Sequence, residues 1–101
     1  MLPTTYAFKN VTLKDKKFIQ NYLPKKLDRF KTLMKKFVEE DCRLEIKAEQ
    51  FATKSACQIE TILHLPGKKL MAKEDDHTMI EALDMAIDKL IIQLRKLVNK
   101  N

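Results

Sequence analysis

"CRLEIKAE", residues 42–49, alternates without a break. Cys42, Leu44, Ile46 and Ala48 fall on one side, and Arg43, Glu45, Lys47 and Glu49 on the other. A period of two belongs to an extended chain, whose successive side chains point to opposite faces. With one face apolar and the other charged, this is a half-buried strand. Such strands build antiparallel sheets that lay one face on a core and leave the other in water. The apolar face needs a cover, and the rest of the chain is read for it.

Downstream, "QFATK" (50–54) reads as a turn and "SACQIETILHL" (55–65) as a second strand, with Cys57, Ile59, Thr61, Leu63 and Leu65 inward. A hairpin turning near Phe51 and Ala52 places Cys42 opposite Thr61 and Cys57 opposite Ile46. The two sulfurs are then too far apart to bridge, so both cysteines are expected as free, buried thiols. Pro66-Gly67 suits the centre of a type II turn, since proline fixes φ and glycine accepts a positive φ. "KKLMAKE" (68–74) is the third strand of the meander. Near the start, "TTYAFK" (4–9) is rich in β-formers and puts Tyr6 and Phe8 on one side.

Two segments have helical periodicity. Thr12, with Asp15 three residues on, starts the first. Ile19, Leu23, Leu27, Phe30, Met34 and Phe37 then form one apolar stripe. Pro24 interrupts this run, so a kink or break is expected near Gln20 to Leu23. The acidic run Glu39–Asp41 suits a loop, because acids oppose the C-terminal helix dipole. The second helix starts at a Thr78/Glu81 capping box and runs to the chain end, burying Ile80, Leu83, Ile87, Leu90, Leu94 and Leu97. The expected fold is α+β, a two-layer sandwich in the order β-α-β-β-β-α. Two helices pack on one face of a four-stranded sheet.

At 101 residues, 45% of them hydrophobic, the chain suits one domain over residues 1–101. No apolar run is long enough to span a membrane, and the N-terminus lacks the pattern of a secretory signal; a cytoplasmic protein is expected. The net charge of +6 is uneven. Residues 1–38 hold ten Lys/Arg against Asp15 and Asp28, whereas residues 39–76 hold six against nine acids. A concentrated basic segment points to a polyanionic partner.

On the last helix, Lys89, Gln93, Lys96 and Lys100 form a narrow line about a third of a turn from the apolar stripe, with Asp84, Asp88 and Arg95 elsewhere. The lysines of this line read as segregated from the acids rather than paired with them. On the first helix, Lys25, Arg29 and Lys36 lie together opposite the stripe, with Tyr22 nearby and Lys26 at the stripe's edge. Two basic ridges on one side of the molecule, with a groove between them, would neutralise phosphates and bind in a salt-dependent way. The chain has neither a glycine-rich phosphate loop nor an aromatic ladder for stacking single strands. Backbone and shape recognition of folded RNA is therefore favoured over base reading.

Catalytic and metal chemistry find little support. "EDDH" (74–77) reads as acids placed ahead of a helix N-terminus. Cys42, Cys57, His64 and His77 lack zinc-finger spacing, and His64 is expected in solvent. No nucleophile-base arrangement is visible, so neither an enzyme nor a cofactor, metal or small-molecule substrate is expected. "KKLMAK" (68–73) precedes the Thr78 cap instead of opening the last helix, unlike the basic motif of double-stranded RNA-binding domains.

The last helix carries a resemblance. "TMIEALDMAIDKLIIQLRKLVNK" (78–100) resembles the pattern D-M-Y-x-A-I-D-x-x-x-D-K-L-x-R-Q-L-x-K-x-K of the ribosome hibernation factors, also called sigma-54 modulation proteins. "KKLDRF" (25–30) resembles that family's first-helix motif. The resemblance implies a protein that occupies the mRNA and tRNA channel of the small ribosomal subunit, contacts rRNA through basic residues, and silences translation in stressed or stationary cells. It implies phosphate contacts for Lys26, Arg29, Lys89 and Lys96. Lys25, Lys36, Arg95 and Lys100 join them from this sequence's own spacing. The chain departs from the pattern at Thr32 and Ile92, where basic residues are expected, and at Ile80, where the pattern has tyrosine. Lys25, Lys31, Lys35 and Lys36 lie close to the first of these gaps. The expected partners are the small subunit, the whole ribosome and rRNA, with a monomer off the ribosome. Two other readings stay open. One is a general structured-RNA binder. The other is a protein-interaction module using Met85, Ile91 and Ile92.

Overall fold

The computed structural model describes residues 2–36, 41–52 and 55–99, apart from the side chains of Lys31 and Lys36. Strand β1 (Thr4–Lys9) leads into helix α1 (Leu13–Lys26), a short helix α2 (Asp28–Leu33) and a 3-10 turn (Met34–Lys36). The meander β2 (Arg43–Gln50), β3 (Cys57–Leu65) and β4 (Lys68–Asp76) follows, then helix α3 (Met79–Val98). The sheet order is β1-β2-β3-β4. This is the expected α+β arrangement, and the sheet is mixed. β1 runs parallel to β2, with Tyr6 beside Ile46, while the other two pairs are antiparallel.

The alternation in residues 43–49 decides the sheet as expected. Leu44 and Ile46 are fully buried and Ala48 nearly so, as are Cys57, Ile59, Thr61 and Leu63 across from them. Thr61 is the polar member of this face, and its hydroxyl donates to the Ala72 carbonyl at 3.1 Å. The hairpin register differs from the expectation by four residues. Ile46 faces Thr61 and Gln50 faces Cys57. The connection is a wider loop, closed where the Phe51 N–H donates to the Ala56 carbonyl at 3.1 Å. A shift by an even number keeps every side chain on its own face, so the burial pattern survives the error. Cys57 moves further from Cys42, to a separation of eight residues or roughly 26 Å along the strand. Both cysteines are buried thiols, as expected. The β3–β4 turn is tight, with Leu65 facing Lys68 and Gly67 at φ 71°. Asn10, at φ 58°, turns the chain out of β1, in a region that asparagine tolerates better than most residues.

Thr12 caps α1, accepting the Asp15 N–H at 3.2 Å, and Thr78 caps α3 in the same way through Glu81. The first-helix stripe is in place, with Ile19, Leu23, Phe30 and Met34 buried; Phe37 lies outside the described residues, as does most of the loop expected at 39–41. The break falls after Pro24 rather than before it. Pro24 costs the Gln20 carbonyl its partner, but its ring sits on the exposed side and bonding resumes at once, Leu27 N–H to Leu23 carbonyl at 3.0 Å. The helix ends at Leu27, whose flattened ψ of −12° closes α1 and opens α2.

The stripe of α3 is rotated from the expected one. Leu83, Ile87, Leu90 and Leu94 are fully buried, but Ile80 is 40% exposed and Leu97 half-buried. Ala82 and Ala86, both fully buried, extend the packed face sideways and let α3 settle close to the sheet; Met79 replaces Ile80 in the core. Ile91, only 1% exposed, is also buried.

β1, β2 and β4 point the same way, and each helix returns from such a strand. α1 and α3 are therefore parallel. The contacts between them confirm it, since Tyr22 reaches Asp84 while Arg29 reaches Asp88. Both N-termini lie at one end of the sheet. The last turn of α1, with Lys25 and Lys26, ends beside Asp84 in the first half of α3, and the basic last turn of α3, with Arg95 and Lys96, lies roughly 17 Å further along.

Candidate nucleic-acid interface

Parallel packing sorts the polar residues of α3 onto two flanks. One flank carries Asp84, Asp88 and Arg95 and turns toward α1 and α2. The other carries Lys89, Gln93 and Lys96 and turns toward the free edge of β4. There Gln93 donates to the Met71 carbonyl at 2.6 Å, and Lys89 pairs with Glu74, whose side chain is only 14% exposed. The lysine line thus runs along the sheet edge. It does not face the basic residues of α1 across a groove, as the helical spacing alone had suggested.

The seam between the helices is filled instead. Asp84 Oδ1 accepts both the Tyr22 hydroxyl and the Lys26 ammonium at 3.0 Å, and Asp88 Oδ1 accepts the Arg29 guanidinium at 2.8 Å. The Lys26 ammonium also stands 5.8 Å over the Tyr22 ring, which stacks on Phe18. The hydrogen bond to Asp84 holds the Tyr22 proton above its ordinary range, and the same carboxylate raises Lys26. The expected segregation of lysines from acids is therefore wrong for Lys26, Arg29 and Lys89. The helical wheel compared charges only within one helix, and these pairs form between elements.

Among the described residues, Lys25, Arg95 and Lys96 are exposed and make no ion pair. Lys100 and the side chain of Lys36 lie outside the described residues. Thr32 is exposed, so the turn after Arg29 adds no charge there. Met85 and Ile92 are 45% and 50% exposed, an apolar pair on the outer side of α3, but the burial of Ile91 removes it from any such patch.

Sequence reasoning placed Tyr22 near the basic residues but missed Asp84, Asp88 and Glu74 as parts of this surface. A signal was present: Asp84 and Asp88 stand four apart, beyond the first turn where the helix dipole would favour them. Like charges so placed call for partners from outside the helix. The acids at 74–76 stand ahead of the Thr78 cap. They end β4, where Asp75 accepts from Gln58 at 2.9 Å and Asp76 takes the His77 N–H at 2.7 Å. His64 is half-buried on the uncovered sheet face, against Glu45, rather than free in solvent. That imidazole holds the Glu45 carboxyl below its ordinary range. Burial pushes the Cys57 thiol up. Among the described residues no group of side chains could hold a metal, and no helix is long and apolar enough to cross a membrane.

A mixed sheet under two parallel helices, with basic last turns and an ion-paired seam, defines a small α+β protein with exposed cations on its helical layer. Residues 5–101 match the family model described as sigma 54 modulation protein / S30EA ribosomal protein, and the chain belongs to this family of ribosome-associated proteins. Among solved structures it is similar to the N-terminal domain of Thermus thermophilus Protein Y, with a TM-score of 0.73 and 23% identity over 96% of this chain and 99% of that one. It is also similar to a ribosomal subunit interface protein from Coxiella burnetii, with a TM-score of 0.66 and 17% identity over 95% and 99% of the two chains. At these identities both likenesses speak for the fold. None of the curated proteins compared matches the chain.

Proposed function

We propose that the protein is a non-enzymatic, cytoplasmic ribosome hibernation factor. It binds the small ribosomal subunit in the mRNA and tRNA channel, alone or within the whole ribosome, and silences translation under stress or in stationary phase. The observation that carries this reading is the set of exposed cations spread along two parallel helices, Lys25 on α1 and Arg95 and Lys96 on α3, in a protein of this family. Lys25, Arg95 and Lys96 contact rRNA phosphates directly, since they face solvent without an acidic partner among the described residues. Lys26, Arg29 and Lys89 contribute by exchanging a carboxylate for a phosphate, and Lys36 and Lys100 remain candidate contacts from their helical spacing in the sequence. The free protein is a monomer.

Sedimentation with ribosomes and separated subunits through sucrose, at low and moderately high salt, tests this. Co-sedimentation with the small subunit that fades as salt rises is the expected result. Protein left at the top at low salt would refute it. A general structured-RNA binder would instead bind unrelated duplex RNA as tightly as the subunit at physiological salt.

A further inference from the structure

We propose that Asp84 and Asp88 are specificity-determining residues: their carboxylates neutralise Lys26 and Arg29 across the helix seam and so keep RNA from lying flat over the two helices. The inference rests on the ribosome-binding reading above and says how binding is confined to one target.

The seam holds two cations and two carboxylates, all four at least partly open to solvent, with side-chain exposures between 22% and 51%. Its middle is electrically balanced. Cations without an ion pair among the described residues stand around it: Lys25 on α1, Arg95 further along α3 on the same flank, and Lys96 toward the β4 edge. An RNA strand or duplex laid along the helices meets carboxylates at the place where the surface is otherwise most suited to hold it. An RNA held first by Lys25, Arg95 and Lys96, which reaches Lys26 and Arg29 only by displacing their carboxylates afterwards, meets that opposition late. Discrimination of this kind comes from a repulsive element set against the wrong partner, not from added attraction to the right one.

The placement of the acids supports a role beyond solubility. Neither lies in the first turn of α3, and their spacing sets like charges on adjacent turns. Each also points at a cation that the family resemblance would assign to phosphate. Asp84 takes two donors on one oxygen, fixing Lys26 and Tyr22 together, so Lys26 is withdrawn from solvent to 22% exposure.

The test uses the full chain as wild type and as the double variant Asp84→Asn, Asp88→Asn, which keeps shape and removes charge. Affinity is measured across a salt series for isolated small subunits and for an unrelated RNA duplex of about two helical turns. The expected result is duplex binding about tenfold tighter in the variant. Its log affinity should also fall more steeply with log salt, by up to about two units, because two more cations become available to phosphates. Small-subunit affinity should rise less, so the preference for subunits shrinks. Unchanged duplex affinity and slope, or a loss of both in a variant that keeps its helix content, would overturn the inference. If the double variant does not fold, Asp88→Asn alone, at the more exposed pair, carries the measurement. Wild type that fails to bind subunits would defeat the ribosomal reading, while the duplex comparison would still report on the carboxylates.

Discussion

Lys89 and Lys96 stand two turns apart on the same flank of α3 and look equivalent in the sequence, yet replacing each with alanine should have opposite consequences. Lys89 pairs with Glu74, whose side chain keeps only 14% of its exposure at the end of β4. The lysine itself is 55% exposed, so the ion pair as such contributes no more than about 1 kcal/mol. Removing it also leaves a mostly buried carboxylate without its cation, which brings the total to roughly 1–2 kcal/mol. In a domain of this size that lowers the thermal midpoint by roughly 5–15 °C. Lys96 is exposed and unpaired among the described residues, so Lys96→Ala should change stability by less than about 0.5 kcal/mol. It should instead reduce the slope of log affinity against log salt for small subunits by about one unit. Lys89→Ala should reduce that slope less, because its ammonium must leave Glu74 before it can reach a phosphate. Thermal unfolding by circular dichroism and binding at several salt concentrations read both quantities. Adding Glu74→Gln to Lys89→Ala should recover much of the lost midpoint, since the stranded charge is gone. Identical midpoints and identical slope losses for the two alanine variants would refute the distinction between a structural and a contacting lysine.

Leu90→Ala, at a fully buried position of α3, should cost about 2–5 kcal/mol in denaturant unfolding, the range for a large aliphatic side chain removed from a packed core. Pro24→Ala restores a donor for the Gln20 carbonyl in mid-helix and should raise the thermal midpoint; a lower midpoint would mean that the break at Leu27 depends on the proline. Asp84 raises both Tyr22 and Lys26, so the stability they add is complete below their unfolded values and is lost as pH climbs through the folded ones. Unfolding titrations above about pH 10 should therefore show a steeper loss in wild type than in Asp84→Asn. Glu45 behaves in the reverse sense. Its lowered carboxyl contributes above the unfolded value and loses that contribution as pH falls below about 4.5, which Glu45→Gln should flatten.

The strands were legible in the sequence because one face of the sheet is dry and the other wet, which gives residues 43–49 their alternation. The hairpin register was not, since it depends on a six-residue loop whose length leaves no mark on the pattern. The caps at Thr12 and Thr78 could be read locally, as each joins residues three apart. Pro24 told of a break but not of its place. Hydrogen bonding resumed past the ring, and the chain turned at Leu27 instead. Ile80 was misplaced because small buried residues, Ala82 and Ala86, steer a helix as firmly as large ones while carrying little weight in a search for apolar stripes. The basic residues were found by type, yet their partners were not. Lys26–Asp84, Arg29–Asp88 and Lys89–Glu74 join elements far apart in the chain, and only the packing of parallel helices brings them together.

That parallel packing also gives the molecule a leading end. The peptide dipoles of α1 and α3 add rather than cancel, with their negative poles where the helices finish. Four formal positive charges, Lys25, Lys26, Arg95 and Lys96, stand in those last turns, while the first turns mix Lys14 and Lys16 with Asp15 and Glu81. Whole charges outweigh the half-charges of the backbone, so the side chains set the sign of the long-range field. In the field of a polyanion the protein is turned before it touches, with the finishing ends of the helices foremost. Orientation acquired during approach shortens the search for a productive encounter, and added salt removes this advantage by slowing arrival rather than by hastening departure.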